Sequence, residues 1–333
     1  MSHAHDSNQA EHGAHGHTHG VIDPSLFSNE RGINALKLSL IGLLITAIFQ
    51  VGVVILTGSV ALLADTIHNF GDAFTAIPLW IAFRVGAWKP NKRFTYGYGR
   101  VEDLAGVAIV LMILLSAAAA AYESVHRLLN PQPVNYLWAV MAASIVGFIG
   151  NEAVAWYRIK VGKEIGSAAL VADGYHARVD GLTSLAVLAG AIGVALGFPL
   201  ADPLVGLLIT LAILKIVWDS SKQVFARLLD GVDPAISDEL HEAAHYVPGV
   251  LEVTEARVRW LGHRLHAELN VAVDSMLTVE QGHTLAKAVQ HELLHHLTYL
   301  SSATVHIDPA HESGEAHHRV EEHRHDELPT HSH

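Results

Sequence analysis

The chain of 333 residues is 50% hydrophobic and only 16% charged, with no cysteine and a formal net charge of −12. This composition belongs with integral membrane proteins rather than soluble enzymes, and it excludes disulfides, thiolate catalysis and capture of soft metals by sulfur. An acidic balance without a long Lys/Arg run also excludes nucleic acid as a partner. Histidine is the outlier, with 25 copies, six of them in the first 19 residues and seven in the last 23. Interleaved with Asp, Glu, Ser and Gly, these tracts predict disordered, metal-attracting tails over residues 1–32 and 310–333.

Between the tails, apolar stretches run at about 36–56, 60–83, 103–126, 134–157, 168–196 and 203–219. Each is long enough to cross about 30 Å of hydrocarbon, so residues 33–229 predict a six-helix transmembrane domain. The polar start of the chain argues against a secretory signal peptide. Lys215 interrupts the last span and is placed to snorkel to the interface. Cations cluster between spans two and three (Arg84, Lys89, Lys92, Arg93, Arg100) and after span four (Arg158, Lys160, Lys163), whereas the turns near 57–59, 130–133 and 197–199 are nearly free of them. The asymmetry predicts both termini in the cytoplasm, and a bacterial cytoplasmic membrane is the expected bilayer. After Leu229 the pattern changes to helix at 235–247, strands at 250–260 and 264–273, helix at 278–297 and a short strand at 302–307. That order predicts a small α+β domain over 230–309, an antiparallel sheet with helices on one face.

The chemistry lies in a repeat. Asp65-Thr-Ile-His68-Asn-Phe-Gly-Asp72 and Asp173-Gly-Tyr-His176-Ala-Arg-Val-Asp180 share the spacing D-x-x-H-x-x-x-D. On a helix, positions i, i+3 and i+7 fall within about 60° of one another, so each segment presents an imidazole and two carboxylates on one stripe. Ionisable groups inside a membrane are costly and mark ion or proton paths. With the predicted topology, Asp72 and Asp180 each lie about twelve residues in, about 18 Å at 1.5 Å per residue, close to the midplane. His68, Asp72, His176 and Asp180 then make a complete tetrahedral nitrogen and oxygen set for zinc, which cadmium, cobalt or iron could also use. Asp65 and Asp173, one turn along, would orient the histidines or line the approach path, and Asn69 is a spare oxygen ligand. Arg178, about 140° from Asp173 around the helix, points off the stripe as a counter-charge or interface anchor.

Elsewhere, His241-Glu-Ala-Ala-His245 and His291-Glu-Leu-Leu-His295 fit the H-E-x-x-H pattern of zinc proteases. They lie in a domain too small for a substrate cleft and read as solvated helix faces. His306 and Asp308 alternate on the last strand, and His266 and Glu268 on an earlier one. These four make a candidate regulatory metal site in the C-terminal domain.

The residues Thr57-Gly58-Ser59, His68-x-x-x-Asp72, Phe94-Thr-Tyr-Gly97-Tyr-Gly99-Arg100, His176-x-x-x-Asp180, Ala201-Asp202-Pro203-Leu204 and His306-x-Asp308 together resemble the cation diffusion facilitators, over about residues 33–309. The resemblance implies a homodimer of six-span protomers with a cytoplasmic ferredoxin-like domain, exporting divalent metal in exchange for protons. It further implies a zinc-type site with two histidines and two aspartates. Where some members carry histidine ligands in the loop between spans two and three, this chain has Phe94 and Tyr98, which argues against a loop site. Proton exchange follows from the chemistry as well, since zinc binds deprotonated imidazole and carboxylate. Two other readings compete. An intramembrane metal-dependent hydrolase would need an open coordination position, which four protein ligands do not leave. A membrane-anchored metal buffer would leave the duplicated stripe unexplained.

Overall fold

The computed structural model describes residues 24–57, 76–130, 137–198, 200–314 and 317. Among these, the membrane part comprises α1 (Pro24–Thr57), α2 (Ala76–Gly86), α3 (Arg100–Leu129), α4 (Leu137–Ile165), α5 (Ala168–Ala195) and α6 (Ala201–Leu228). Five of them are long and apolar enough to cross a bilayer, and α2 is a shorter apolar helix. The expected second span thus lies mostly outside the described residues. The helices α1, α3, α4 and α6 outrun the predicted spans. α1 already begins at Pro24, inside the segment expected to be a tail, and α4 and α6 continue to Ile165 and Leu228. The reason is physical: hydropathy reports where hydrocarbon ends, whereas a helix stops only where its backbone hydrogen bonds are interrupted.

For α4 the interruption is Gly166. Its φ of 74° is left-handed, and the Gly166 N–H donates to the Lys163 carbonyl at 3.3 Å while the Ser167 N–H donates to the Gly162 carbonyl at 2.8 Å. This pair of bonds closes a Schellman cap. Ser167 then caps α5, its Oγ accepting from the Leu170 N–H at 3.0 Å. Two residues therefore reverse the chain, and α4 and α5 form a tight antiparallel hairpin. Small residues let the backbones meet: a Cβ on Gly174 would lie 2.9 Å from the Ile159 backbone nitrogen, and one on Gly162 2.9 Å from that of Val171. Around the hairpin, α1 packs on α4 and α2, α3 packs on α2, α5 and α6, and α6 packs on α5.

The C-terminal domain contains α7 (Pro234–His245), β1 (Glu252–Leu261), β2 (Arg264–Val273), α8 (Val279–His296) and β3 (Leu300–Pro309). Sequence places each element correctly, but the sheet is mixed. In the order β1-β2-β3, β1 pairs antiparallel with β2, and β2 pairs parallel with β3. The crossover through α8 returns the chain to the end where β2 began, which forces the parallel pairing. Both helices lie on one face, over a core built around Leu240, Leu269, Val289 and Leu293. Local chemistry sets the helix starts. Asp233 caps α7 ahead of Pro234, and Thr278 with Gln281 forms a capping box on α8.

The β1–β2 turn of this domain plugs into the membrane part. His263 Nδ1 lies 2.6 Å from Glu102 Oε2, both side chains buried, and the Gly262 N–H reaches Asp103 Oδ2 at 3.4 Å. Arg227 lies 4.0 Å over the Trp260 ring and donates to the carbonyls of Gly166 and Gly262. Tyr299 donates to the Lys163 carbonyl at 3.0 Å, and Arg100 pairs with Asp230. The sequence did not single out His263 or Glu102. Replacing His263 by Ala leaves the Glu102 carboxylate buried without its partner, a loss of about 3 kcal/mol. The expected outcome is a lower unfolding midpoint in detergent and faster protease cleavage near residues 229–233; wild-type values for both would mean that the turn does not hold the domain. Gly174→Ala should likewise lower the midpoint, by about 1–3 kcal/mol of overpacking, while Ala177→Gly should not reproduce the effect by the same mechanism, because it removes volume.

Candidate functional site

Of the expected site residues, His68, Asp72, Asp65 and Asn69 lie outside the described residues. Asp173, His176 and Asp180 are placed, and all three are buried in the first half of α5, 0%, 2% and 6% exposed. Buried imidazole and carboxylate at i and i+4 share one face of the helix and present a nitrogen and an oxygen donor together.

The hairpin register gives these residues their neighbours. Arg158 and Asp173 form an ion pair at 2.9 Å with side chains 1% and 0% exposed, and Arg178 donates from Nε and Nη2 to the two oxygens of Glu152 at 3.1 and 2.6 Å. The two pairs have opposite polarity across the same pair of helices. A Cβ on Gly147 would lie 2.9 Å from Ser184 Oγ, and one on Gly181 would lie 3.4 Å from Asn151 Cβ, so Asp180 lies level with Asn151 and His176 with Ala155. Asn151, Ser184 and, from α1, Gln50 are buried polar residues around this level, and Gln50 Nε2 lies 3.3 Å from the position of a Cβ on Gly147. A polar seam thus runs along the inner face of the hairpin.

Two expectations change. Arg158, expected in a cationic loop, is inside α4 on its packed stripe with Asn151, Val154 and Gly162; the i, i+3, i+4 spacing of that stripe was the signal that could have found it. Asp173, expected to orient a histidine or line the approach path, is instead held by Arg158. Arg178 does serve as a counter-charge, with Glu152 as its partner. Trp138, at the start of α4, and Trp156, nine residues before its end, are 84% and 59% exposed and are separated by about 27 Å of helix, close to the hydrocarbon thickness. Asn151, level with Asp180, is about 7.5 Å from Trp156 and about 20 Å from Trp138. Asp180 therefore lies nearer the level of Trp156 than that of Trp138.

The four residues of the candidate C-terminal metal site do not converge. In the β2–β3 ladder His266 faces Ser302 whereas Asn270 faces His306, so the two histidines are four positions apart, about 13 Å. His306 Nε2 pairs with Asp308 at 2.9 Å, and Glu268 pairs with Arg259 at 3.4 Å. His266 contacts Ser302 Oγ at 2.7 Å and Ser301 Oγ at 3.1 Å; burial and then the Arg259 guanidinium hold its pKa below the ordinary histidine value, so the ring is neutral at pH 7. Among the described residues no group of three or more His, Asp or Glu is placed to hold a metal. In the loop before α3, the Phe94 and Tyr98 rings meet at 4.7 Å with a 40° tilt, and Asn91 Nδ2 donates to the Tyr98 hydroxyl at 2.6 Å. His241 and Glu242 lie exposed on α7, and His291 and His295 touch ring to ring on the outside of α8, as expected of solvated helix faces.

Comparison with known proteins decides the family. The family model described as the cation efflux transmembrane domain matches residues 36–229, and that of the cation efflux protein cytoplasmic domain matches residues 232–310. The chain belongs to the cation efflux family, the cation diffusion facilitators. Among its relatives, a "Probable cation efflux system protein" of Mycobacterium tuberculosis is 54% identical over 297 residues, 88% of this chain and 90% of that one. An uncharacterized transporter of Methanocaldococcus jannaschii is 28% identical, covering 82% of this chain and 96% of that one. The magnetosome protein MamB of a Magnetospira species is 27% identical, covering 77% and 87%. A solved cadmium form of the MamM CTD is 35% identical over 22% of this chain and 94% of its own length, with a TM-score of 0.22. The chain is therefore a multi-pass membrane protein of a transporter family.

The Arg158–Asp173 pair makes a sharp test. Asp173→Ala leaves a buried guanidinium unpaired and should destabilise the protein by about 3–5 kcal/mol, whereas Arg158→Met combined with Asp173→Leu should restore most of the loss. Unfolding midpoints in detergent for both single variants and the double variant decide it; a double variant no better than the singles would show that the pair is more than a mutual charge compensation.

Proposed function

We propose that this cation efflux protein exports a divalent cation, with zinc as its principal substrate, through a site made of His68, Asp72, His176 and Asp180, and that it returns protons in exchange. The observation that carries the reading is the burial of His176 and Asp180 on one face of α5, a placement that a purely structural polar pair has little reason to occupy. The second half of the site is read from the matching spacing of His68 and Asp72 in the sequence. Two imidazoles and two carboxylates make a four-coordinate nitrogen and oxygen site, and zinc is well suited to it.

Proton exchange rests on ligand chemistry. Imidazole and carboxylate bind zinc only when deprotonated, so loading releases protons and protonation favours release. Export of a divalent ion against an inside-negative potential costs about 2.3 kcal/mol per charge per 100 mV, which a returning proton flux would offset. The Lys/Arg distribution supports both termini in the cytoplasm, and the C-terminal match to a domain named for dimers supports a homodimer. The histidine-rich tails fit a role in raising local metal concentration.

Flux into liposomes loaded with a metal-sensitive dye tests the reading. His176→Ala and Asp180→Ala should each reduce zinc flux at least tenfold in a folded protein, while Glu242→Gln and Glu292→Gln should leave it unchanged; wild-type flux in either site variant would remove that residue from the site. His68→Asp should lose zinc preference relative to manganese or cadmium and flatten the pH profile where imidazole titrates. An unchanged metal ratio together with an unchanged pH profile would mean that His68 does not touch the metal.

A further inference from the structure

Three helices carry the same short pattern, a tryptophan followed four residues later by a cation: Trp80 and Arg84 on α2, Trp156 and Lys160 on α4, Trp218 and Lys222 on α6. In each the cation lies over the indole ring, at 5.5, 5.1 and 5.0 Å from the ring centre. All three helices run toward the end that carries the C-terminal domain. α6 leads directly into that domain, α4 ends at the Gly166 carbonyl held by Arg227, and α2 leads to the loop whose Gly99 abuts Leu261. Trp156 and Trp218 are 59% and 62% exposed, and Arg84, Lys160 and Lys222 are exposed beside them. Lys37 of α1 joins the same level, sharing a groove with Trp80 and Ile77.

These tryptophans also mark where hydropathy drops. The apolar stretches end near residues 83, 157 and 219, within a few residues of each tryptophan, while the helices continue to Gly86, Ile165 and Leu228. None of the four cations has an ion-pair partner among the described residues. Nearby acids do not change this: Glu164 is engaged by Arg31, and exposed Asp219 adjoins Trp218 without an ion pair to Lys222. The opposite end differs. Among the described residues Trp138 has no cation over its ring, and Arg127 is neutralised by Glu123 at 2.8 Å and Asp202 at 3.1 Å. Free cations at membrane depth are therefore confined to one leaflet, in a chain whose net charge of −12 gives no general attraction for anions.

We propose that Arg84, Lys160 and Lys222, each held over its tryptophan, form with Lys37 a belt that binds the headgroups of anionic phospholipids in the leaflet on the side of the C-terminal domain. An indole anchors at the interface and holds the stacked cation at the depth of the lipid phosphates. Each basic group near an anionic surface contributes about 1 kcal/mol at moderate salt. The inference rests on the membrane fold and not on the transported ion.

The test uses the full-length chain in liposomes containing brominated lipid, which quenches membrane tryptophans that it touches. At equal mole fraction, brominated phosphatidylglycerol should quench more than brominated phosphatidylcholine, and the excess should shrink at high salt. Neutralising one cation, as in Lys160→Gln or Lys222→Gln, should weaken the preference by up to about fivefold, whereas Lys160→Arg and Lys222→Arg should keep it. The single variants keep the test open if a triple variant fails to insert. Equal quenching by the two lipids in the wild type, or an excess that survives in the Gln variants, overturns the proposal. Loss of the excess on adding inorganic phosphate at constant ionic strength would assign the cations to a bare anion site and overturns the lipid assignment.

Discussion

The rest of the structure depends on the fixed register between α4 and α5. Backbone contact at glycine sets the distance between the helices, and two ion pairs of opposite polarity, Arg158 with Asp173 and Glu152 with Arg178, set their offset. A slide of one helix past the other by a single turn would break both pairs and leave the Arg158 and Asp173 charges buried without partners, at a cost of several kcal/mol. The hairpin is consequently one rigid body. It fixes His176 and Asp180 with respect to Asn151 and Ser184, and it fixes how deep they lie.

The same hairpin is the point at which the C-terminal domain is fastened. Its turn offers the Gly166 and Lys163 carbonyls to Arg227 and Tyr299, while α3 contributes Glu102 and Asp103 to the β1–β2 turn. Of these bonds the His263–Glu102 pair is both short and buried, unlike the exposed ion pairs that stabilise little. Because α5 carries the candidate ligands and α4 carries the attachment, the C-terminal domain and half of the candidate site belong to one mechanically continuous unit.

Much of this was legible in the sequence, and what was not has physical causes. The five described long spans, the order α-β-β-α-β and the burial of Asp173, His176 and Asp180 follow from hydropathy, from periodicities of 3.6 and 2, and from the cost of charge in a membrane. Helix ends were misplaced because apolar content stops at tryptophans 80, 156 and 218 while backbone hydrogen bonding continues into water, as at Lys160 and Glu164. The parallel pairing of β3 was missed because strand direction depends on the crossover and not on the strand's own residues. Arg158 was assigned to a loop by its charge, although its place on the stripe with Asn151 and Gly162 argues for the interior. The pairing of His266 with the level of Ser302 rather than His306 depends on ladder register, which side-chain alternation alone leaves open.

A site divided between two segments has a property that a site on one helix lacks. His176 and Asp180 occupy consecutive turns of a rigid hairpin, and alone they are two ligands, too few to close a zinc coordination shell. If His68 and Asp72 complete it, affinity becomes a steep function of the distance between α5 and the segment that precedes α2. A metal then favours the arrangement in which the two halves meet, by as much as its affinity differs between arrangements and no more. Protonation of the imidazoles acts in the opposite sense, because it removes the ligands that reward closure. The Arg158–Asp173 pair sharpens the contrast. By neutralising the carboxylate one turn away, it would leave His176 and Asp180 as the donors that the proposed site draws from this helix.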